Sequence, residues 1–343
     1  MSDPILQVTN LHVDFQTYGG AVQAVRGVSF DVCAGRTLAI VGESGCGKSV
    51  TVQSLMGLIP MPPGRIHQGS AHLRGHDILA SKIIDDQDIR GSQISMIFQD
   101  PMTSLNPTMN IGSQIAETLE VHKGYSKSDA FARAIELLDM SKIPEAAKRA
   151  KQYPFEFSGG MLQRAMIAMA IACEPAILVA DEPTTALDVT IQAQILDLLG
   201  DLQQETGMAI ILITHDLGVV ARMADEVMVM YAGEVVERGG VDDIFYRSGH
   251  PYTQGLRLAM PTNHQGTGAN NTLVAIDGSP PDLFSPPRGC AYHPRCPYAM
   301  QVCAAQAPLL TTLSADHQTR CWLYHEMAGP LPEGLVSSNK IRQ

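Results

Sequence analysis

The chain has 343 residues, of which 45% are hydrophobic and 17% charged, a composition typical of a globular protein with one large domain and a smaller one. The net charge of −11 argues against nucleic acid as a partner, because nucleic-acid binding needs a basic face. No segment offers the roughly 18 uninterrupted apolar residues of a membrane span. The N-terminus Met1-Ser2-Asp3-Pro4 lacks the basic region of a secretory signal. We expect a soluble chain that can dock onto a membrane protein.

Strand-like and helical patterns alternate through most of the chain, which predicts an α/β fold with a largely parallel sheet as its core. Residues 5–40 alternate polar and apolar side chains and predict an antiparallel β layer along one side. A helix is predicted at residues 50–58. Further strands are predicted at four short apolar runs, residues 37–41, 94–98, 177–180 and 208–213.

A helical insertion is predicted at about residues 105–172, where no clear strand pattern occurs. Within it, Ser126 or Ser128 can cap a helix that ends near Ser141. The apolar residues at helical spacing are Phe131, Ala134, Ile135 and Leu138. After about residue 262, Asn, Gly, Pro and Ser accumulate and periodicity fades. We therefore predict a major domain at residues 1–262 and a small, loop-rich C-terminal extension at 263–343.

A glycine-rich turn lies between a predicted strand and a predicted helix and matches the P-loop pattern G-x-x-x-x-G-K-S. Its residues are Gly42, Glu43, Ser44, Gly45, Cys46, Gly47, Lys48 and Ser49, and Val50 follows. The glycines let backbone N–H groups converge on phosphate oxygens, and the helix N-terminus adds its dipole. We predict that this segment binds a nucleoside triphosphate, with Lys48 at the β- and γ-phosphates and Ser49 as a magnesium ligand.

Two carboxylates, Asp181 and Glu182, follow the apolar run at residues 177–180. Downstream of a P-loop, Asp181 is placed to hold magnesium, directly or through water. Glu182 is placed to polarise the attacking water as a general base.

Ser158, Gly159 and Gly160 open a predicted helix that runs to about Ile171. A serine and two glycines at a helix N-terminus form an anion site, although in isolation the same residues are only a helix cap.

The order of these motifs resembles the ABC-transporter ATPase family over about residues 5–260. The series also contains Gln99 after Phe98, Asp188 in Ala186-Leu187-Asp188, and His215 between Thr214 and Asp216. The resemblance implies an ABC-type P-loop fold, ATP as substrate and Mg²⁺ as cofactor. It implies that Gln99 touches magnesium or water and contacts a permease, that Asp188 lies at a dimer seam, and that His215 hydrogen-bonds the γ-phosphate.

The resemblance also implies that Ser158, Gly159 and Gly160 form the signature motif, which acts on the ATP of a second subunit. Met161 stands where many family members have glutamine, so the role of that side chain is open. Phe15 matches the aromatic residue that stacks on adenine, with Tyr18 as a weaker candidate.

Two further segments, Gln99 to Pro107 and His250-Pro251-Tyr252-Thr253, resemble the oligopeptide/dipeptide importer branch of the family. The implied substrate is a short peptide, with nickel or a sugar as alternatives. The implied partners are a second ATPase subunit that is a different chain and forms a heterodimer with this one, two transmembrane permeases and an extracytoplasmic peptide-binding protein. The implied location of this chain is the cytoplasmic face of the inner membrane. A soluble ABC ATPase acting on ribosomes or DNA is a further alternative.

Four cysteines cluster in the C-terminal extension, Cys290, Cys296, Cys303 and Cys321. Four thiolates can hold zinc or an iron–sulfur cluster. Their spacings are wider than those of the usual zinc knuckle and suit a larger cluster, and the family resemblance implies [4Fe–4S]. Zinc and structural free thiols are the alternatives.

Overall fold

The structure is a computed structural model that describes residues 3–80, 89–185, 187–260 and 275–336. Ala186 and the predicted domain boundary after residue 262 lie outside the described residues. The strands are β1 (Leu6–Thr17), β2 (Gly20–Val32), β3 (Thr37–Val41), β4 (Gly64–Leu73), β5 (His76–Asp77), β6 (Ile94–Ile97), β7 (Ile177–Asp181), β8 (Ala209–Ile213), β9 (Glu226–Tyr231), β10 (Glu234–Gly240), β11 (Thr311–Ser314) and β12 (His317–Thr319). The helices are α1 (Lys48–Leu55), α2 (Pro101–Ser104), α3 (Ile111–Lys123), α4 (Lys127–Met140), α5 (Ala146–Arg149), α6 (Gly159–Ile171), α7 (Val189–Thr206), α8 (Leu217–Met223), α9 (Val241–Tyr246), α10 (Pro251–Leu258) and α11 (Gln301–Ala305).

The predicted α/β fold and the four predicted core strands are confirmed, but the boundaries of the helix predicted at 50–58 were wrong. The helix α1 begins two residues earlier, directly after Gly47, which has a φ of 101°. It ends at Leu55 because Gly57, with a φ of 61°, turns the chain away.

The chain divides into two compact units, and the first comprises Met1–Leu6, Asp31–Thr37 and His72–Ile213. Its sheet contains β6, β7 and β8 in parallel, with Ile177 paired to Ile94 on one side and to Ala209 on the other. Every residue of these three strands is buried, as expected of a parallel sheet with both faces covered. The carboxyl ends of the strands therefore meet at one edge, where the residues after β6 and β7 lie close together.

The predicted helical insertion is a set of helices, α2 to α6, with no strand between residues 98 and 176, all of which are described. Helix α3 packs on α4, and both contact α6. Ser126, rather than Ser128, caps α4, since its Oγ accepts a hydrogen bond from the N–H of Asp129. Of the predicted apolar stripe, Ala134 and Leu138 are fully buried, whereas Phe131 and Ile135 stay partly exposed.

The second unit comprises Gln7–Phe30, Leu38–Ala71 and Thr214–Gln343. Within it, β2, β1 and β4 lie side by side, and the two-residue connection between β1 and β2 makes that pair an antiparallel hairpin, as predicted for the β layer. A second group of strands has the order β11-β12-β10-β9-β3. In it β9 is parallel to β3, and the remaining pairs are antiparallel.

The C-terminal extension contributes β11 and β12 to this group, which the sequence did not predict. The strand β12 pairs with β10 through Glu237↔Thr319 and Arg238↔Gln318. Glu237 is fully buried and accepts hydrogen bonds from the N–H of His250 at 3.0 Å and from Nε2 of His317 at 2.7 Å. A buried carboxylate with these partners fixes the extension onto β10.

Candidate functional site

The P-loop follows β3, and its backbone conformation requires glycine. Gly42, Gly45 and Gly47 have φ values of 151°, 77° and 101°. A Cβ on Gly42 would collide with the carbonyl of Met230, and one on Gly47 with the carbonyl of Ala24. The loop therefore lies against backbone on both sides, and Gly42 and Gly47 cannot be replaced without displacing it.

Lys48 is buried within the loop that precedes it. Its side chain is 7% exposed, and Nζ donates hydrogen bonds to the carbonyls of Gly42 at 2.8 Å and Glu43 at 3.0 Å. Ser49 and Val50 continue α1 and are half-buried, while Ser44 and Gly45 are exposed at the tip of the loop. Burial raises the pKa of the Cys46 thiol, so the thiol is neutral. The backbone carbonyl of Cys46 accepts a hydrogen bond from the N–H of Gly233 at 3.0 Å.

The two aromatic candidates for adenine stacking differ in their surroundings. Phe15 is half-buried near the end of β1, and a Cβ built on Gly64 would lie 3.3 Å from its ring edge. Tyr18 is fully exposed in the turn between β1 and β2. The ring of Phe15 therefore packs close to Gly64, whereas the ring of Tyr18 lies in solvent.

His215 follows Thr214 at the start of the turn that leads into α8. The N–H of Thr214 donates to the carbonyl of Ile40 at 3.3 Å, and Oγ1 of Thr214 accepts from the N–H of Asp216 at 3.0 Å. Asp216 in turn caps α8 by accepting from the N–H of Gly218 at 2.7 Å. The backbone on both sides of His215 is therefore fixed by hydrogen bonds.

The two acidic residues at the end of β7 have different environments. Asp181 is buried at 6% exposure. Glu182 has a φ of 49°, and its N–H donates to the carbonyl of Ile213 at 2.9 Å. Its Oε2 accepts from Nε2 of Gln99 at 3.1 Å and from Oγ1 of Thr185 at 3.0 Å. The structure thus brings the predicted Gln99 and Glu182 into direct contact.

Ser158 of the predicted signature motif and Asp188, predicted at the dimer seam, are the N-caps of two helices whose first turns approach each other. Ser158 caps α6 by accepting from the N–H of Met161 at 3.4 Å, and Asp188 caps α7 by accepting from the N–H of Ile191 at 2.9 Å. A Cβ on Gly160 would lie 2.8 Å from Cγ2 of Ile191, whereas one on Gly159 would meet nothing closer than 3.9 Å. The absence of a side chain at Gly160 lets the first turn of α6 approach that of α7.

The four clustered cysteines line one cavity, together with His250 and His293. Burial raises the pKa of Cys290 to about 11 and that of Cys321 to about 12, so both are neutral thiols at physiological pH. Among the described residues, no group of three or more His, Cys, Asp or Glu side chains is arranged to hold a metal ion. The shared cavity matches the predicted clustering, and the ligand geometry of a metal site is not formed.

Two residues that contact the P-loop were missed in the sequence, Arg295 and Tyr252. Arg295 pairs with Glu43 through both guanidinium nitrogens, and the hydroxyl of Tyr252 accepts from the N–H of Glu43. Arg295 is 252 positions away from Glu43 in the chain, so no local pattern indicates the contact. Tyr252 lies in the segment His250 to Thr253, whose resemblance to the peptide-importer branch is the one sequence signal that marks it.

Within each unit the structure therefore assembles one part of the predicted set. The first unit holds Gln99, Asp181 and Glu182 at one sheet edge. It also holds the first turns of α6 and α7, capped by Ser158 and Asp188, close to each other. The second unit holds the P-loop, Phe15 and His215.

Comparisons with known proteins identify the family of this chain. Residues 25–185 match the ABC transporter family, and residues 236–303 match the oligopeptide/dipeptide transporter C-terminal region. The chain is 54% identical over 339 residues to the oligopeptide transport ATP-binding protein OppD of Bacillus subtilis. The matched segment covers 99% of this chain and 94% of that protein. It is also 54% identical over 326 residues to the dipeptide transport ATP-binding protein DppD of the same organism, covering 95% and 96% of the two chains.

Solved structures support the same assignment. The dimeric ATP-binding cassette MJ0796 with bound ADP and Pi matches with a TM-score of 0.61 and 26% identity, over 69% of this chain and 98% of that one. CbiO1 from Clostridium perfringens, part of an ABC transporter complex, matches with a TM-score of 0.60 and 27% identity, over 71% and 91%. Fold and motifs define a P-loop ATPase of the ATP-binding cassette type. The chain belongs to the ABC transporter family, in the branch that carries the oligopeptide/dipeptide transporter C-terminal region.

No helix in the described part of the chain combines the length and apolar character needed to cross a bilayer.

Proposed function

We propose that this chain binds and hydrolyses ATP to energise the import of oligopeptides or dipeptides. The observation that carries the proposal is the 54% identity, over nearly the full length, to a protein whose name assigns it to oligopeptide transport. The match of residues 236–303 to the oligopeptide/dipeptide transporter C-terminal region supports the same substrate class.

ATP binding is proposed to rest on the P-loop. Its backbone N–H groups and the N-terminus of α1 attract phosphate oxygens, and Lys48 adds a full positive charge. The hydrogen bonds from Nζ to Gly42 and Glu43 already hold that charge inside the loop. The aromatic ring of Phe15 is proposed to stack on the adenine base.

Hydrolysis is proposed to use Glu182 as the general base that polarises the attacking water. The hydrogen bonds from Gln99 and Thr185 orient its carboxylate. Ser49, Asp181 and Gln99 are the proposed magnesium ligands, and magnesium, when bound, neutralises charge on the β- and γ-phosphates. Lys48 and His215 counter the charge on the γ-phosphate.

We propose that Ser158, Gly159 and Gly160 act on the ATP of a second ATPase subunit. Their backbone stands at the N-terminus of a thirteen-residue helix, which favours a negative charge. Asp188, at the neighbouring N-terminus of α7, is proposed to lie at the seam of the two subunits. Met161 occupies the position that is often glutamine, and the donors that face phosphate do not involve its side chain.

The further proposed partners are two transmembrane permeases and an extracytoplasmic peptide-binding protein, with this chain at the cytoplasmic face of the inner membrane. The helical insertion, α2 to α6, is the proposed contact with the permeases. Membership of the ABC transporter family supports permease partners in general, and the relatives' names support the peptide-specific ones.

For the cysteine cavity we propose an iron–sulfur cluster, with zinc as the alternative. The four thiols converge on one cavity, which supports the proposal, but they do not stand in a coordinating arrangement. We therefore derive no step of the reaction from it. Iron, sulfide and zinc analysis of anaerobically purified protein decides between the two metals, and metal-free protein would leave four structural thiols.

The importer assignment is tested by purifying the complex through this chain from its membrane and identifying the subunits that accompany it. We expect two permeases, a second ATPase and ATP hydrolysis that rises when peptide-loaded binding protein is added. Stimulation by nickel or a sugar instead of peptide would correct the substrate. Recovery of ribosomes or DNA without permeases would contradict the importer.

A further inference from the structure

Arg295, in the C-terminal extension, is a buried arginine with every donor occupied. Its side chain is 5% exposed. Nη1 donates to Oε2 of Glu43 at 2.7 Å and to the hydroxyl of Tyr231 at 3.2 Å, and Nη2 donates to Oε1 of Glu43 at 3.0 Å and to the carbonyl of Ile276 at 3.2 Å. Nε donates to the carbonyl of Asp277 at 2.9 Å. A guanidinium has five N–H donors, so this one is held in a single orientation.

Glu43 is the partner at the other end of this contact and is itself held at three points. Its carboxylate receives the two parallel bonds from Arg295. Its N–H donates to the hydroxyl of Tyr252 at 2.9 Å, and its carbonyl accepts from Nζ of Lys48 at 3.0 Å. The second residue of the P-loop is therefore fixed by side chains from outside the loop as well as by its own lysine.

The charge of Glu43 is unfavourable where it stands. A carboxylate in a loop that binds phosphates repels the ligand, and the repulsion acts at short range in partly buried surroundings where screening by water is reduced. The side chain of Glu43 is 24% exposed, so water screens its negative charge only in part. The two bonds from Arg295 give a bidentate ion pair, the arrangement in which arginine neutralises a carboxylate most effectively.

We propose that Arg295 is a positioning residue of the ATP site, which neutralises and orients Glu43 so that the P-loop accepts phosphate. The C-terminal extension thereby completes the nucleotide site of its own chain. The inference rests on the proposed function, because it assumes that the P-loop binds ATP.

A purely structural role predicts something different. Arg295 also holds the carbonyls of Ile276 and Asp277, so its loss could loosen that segment without changing the affinity for ATP. The two roles separate when the charge of Glu43 is removed together with the arginine. Only if Arg295 acts by neutralising Glu43 does removal of the Glu43 charge restore ATP binding to a variant that lacks Arg295.

The experiment measures the dissociation constant of Mg-ATP for the full chain, and KM and kcat for the transporter complex, in five variants. Arg295→Ala is expected to raise the dissociation constant and KM about tenfold, with kcat changed less and with a smaller effect at high salt, because salt screens the exposed carboxylate. Glu43→Gln, which removes the charge to be neutralised, is expected to bind within about threefold of wild type. Arg295→Lys keeps the positive charge but cannot form the bidentate pair, so its dissociation constant is expected to lie between those of wild type and Arg295→Ala. Glu43→Gln combined with Arg295→Ala is expected to recover most of the affinity lost in Arg295→Ala.

Arg238→Ala is the matched control, because it also removes an ion pair, with Glu226, in the same unit. Glu226 pairs with Leu38, whereas the P-loop begins after Val41, at the opposite end of the strand. This variant is expected to bind ATP like wild type.

Unchanged affinity in Arg295→Ala, or a double variant as weak as Arg295→Ala, would overturn the inference and leave the proposed function intact. A wild-type chain that binds no Mg-ATP would overturn the proposed function, and the inference with it. If Arg295→Ala does not fold, Glu43→Gln carries the test, and a tenfold loss of affinity in that variant contradicts the inference.

Discussion

The side-chain amide of Gln99 donates a hydrogen bond to the carboxylate of Glu182, with Nε2 and Oε2 separated by 3.1 Å. The two residues follow neighbouring parallel strands, so their contact is a direct consequence of the sheet edge at which β6 and β7 end. Glu182, the residue proposed to polarise water, is therefore oriented by Gln99, for which the family resemblance implies contact with a permease.

Removal of this contact is expected to slow hydrolysis without preventing ATP binding. In Gln99→Ala, the carboxylate of Glu182 keeps the hydrogen bond from Thr185 but loses the one from Gln99, so its orientation is less restricted. We expect kcat of the transporter complex to fall about tenfold, within the range of a misoriented general base. The dissociation constant of Mg-ATP is expected to rise less than kcat falls, because Ser49 and Asp181 remain as proposed magnesium ligands. Gln93→Ala is the control, because Gln93 also makes a side-chain hydrogen bond, to Arg74, but precedes β6. An equal loss of rate in both variants would refute the orienting role.

The two glycines of the signature segment are expected to differ in stability when each is changed to alanine. In Gly160→Ala the new methyl lies 2.8 Å from Cγ2 of Ile191 and forces α6 away from α7, at a cost of about 1–3 kcal/mol in the free energy of unfolding. Gly159→Ala finds nothing within 3.9 Å and is expected to change the free energy of unfolding by less than about 0.5 kcal/mol. Urea unfolding of both variants measures the difference, and equal stabilities would contradict the close approach of the two helices.

His250 is expected to make the protein acid-sensitive. It is 1% exposed, and burial lowers its pKa to about 3, so the folded state holds a neutral imidazole while the unfolded state takes up a proton below its ordinary pKa of 6.5. The stability that this histidine contributes is therefore complete above pH 6.5 and is lost as the pH falls from 6.5 toward 3. The loss approaches about 1.4 kcal/mol per pH unit in that window.

The control for this pH dependence is His250→Asn, which can still accept the N–H of Tyr252 that Nδ1 of His250 accepts at 3.1 Å, but which does not titrate. Chemical unfolding between pH 7 and pH 4 compares the two slopes. We expect the slope for wild type to be steeper below pH 6.5. Parallel curves would show that His250 is not the responsible group.

The sequence predicted where several candidate residues lie in the fold because local motifs define those positions. The P-loop glycines, Asp181 and Glu182 each stand at a fixed place between a strand and a turn or helix, and the structure places them there. Gln99, by contrast, is identified as a candidate only by its place in the order of motifs, because a glutamine in a loop has no local sequence signature.

What the sequence could not predict depends on contacts between distant segments. The strands β11 and β12 have four and three residues, too few for a recognisable alternation of polar and apolar side chains. They form because β12 pairs with the edge of β10 and His317 donates a hydrogen bond to the buried Glu237. The pairing of Arg295 with Glu43 likewise joins the last part of the chain to the first. A polar residue among prolines and cysteines gives no sign that it is 5% exposed.

The central claim, that this chain hydrolyses ATP with Glu182 as its general base, is tested most directly by Glu182→Gln. The measurement is the rate of ATP hydrolysis by the purified transporter complex in the presence of peptide-loaded binding protein, with the dissociation constant of ATP determined in parallel. The account predicts a rate about 10²–10⁴-fold below wild type, the usual contribution of a general base, with ATP binding retained. Near-normal hydrolysis by the variant would contradict it.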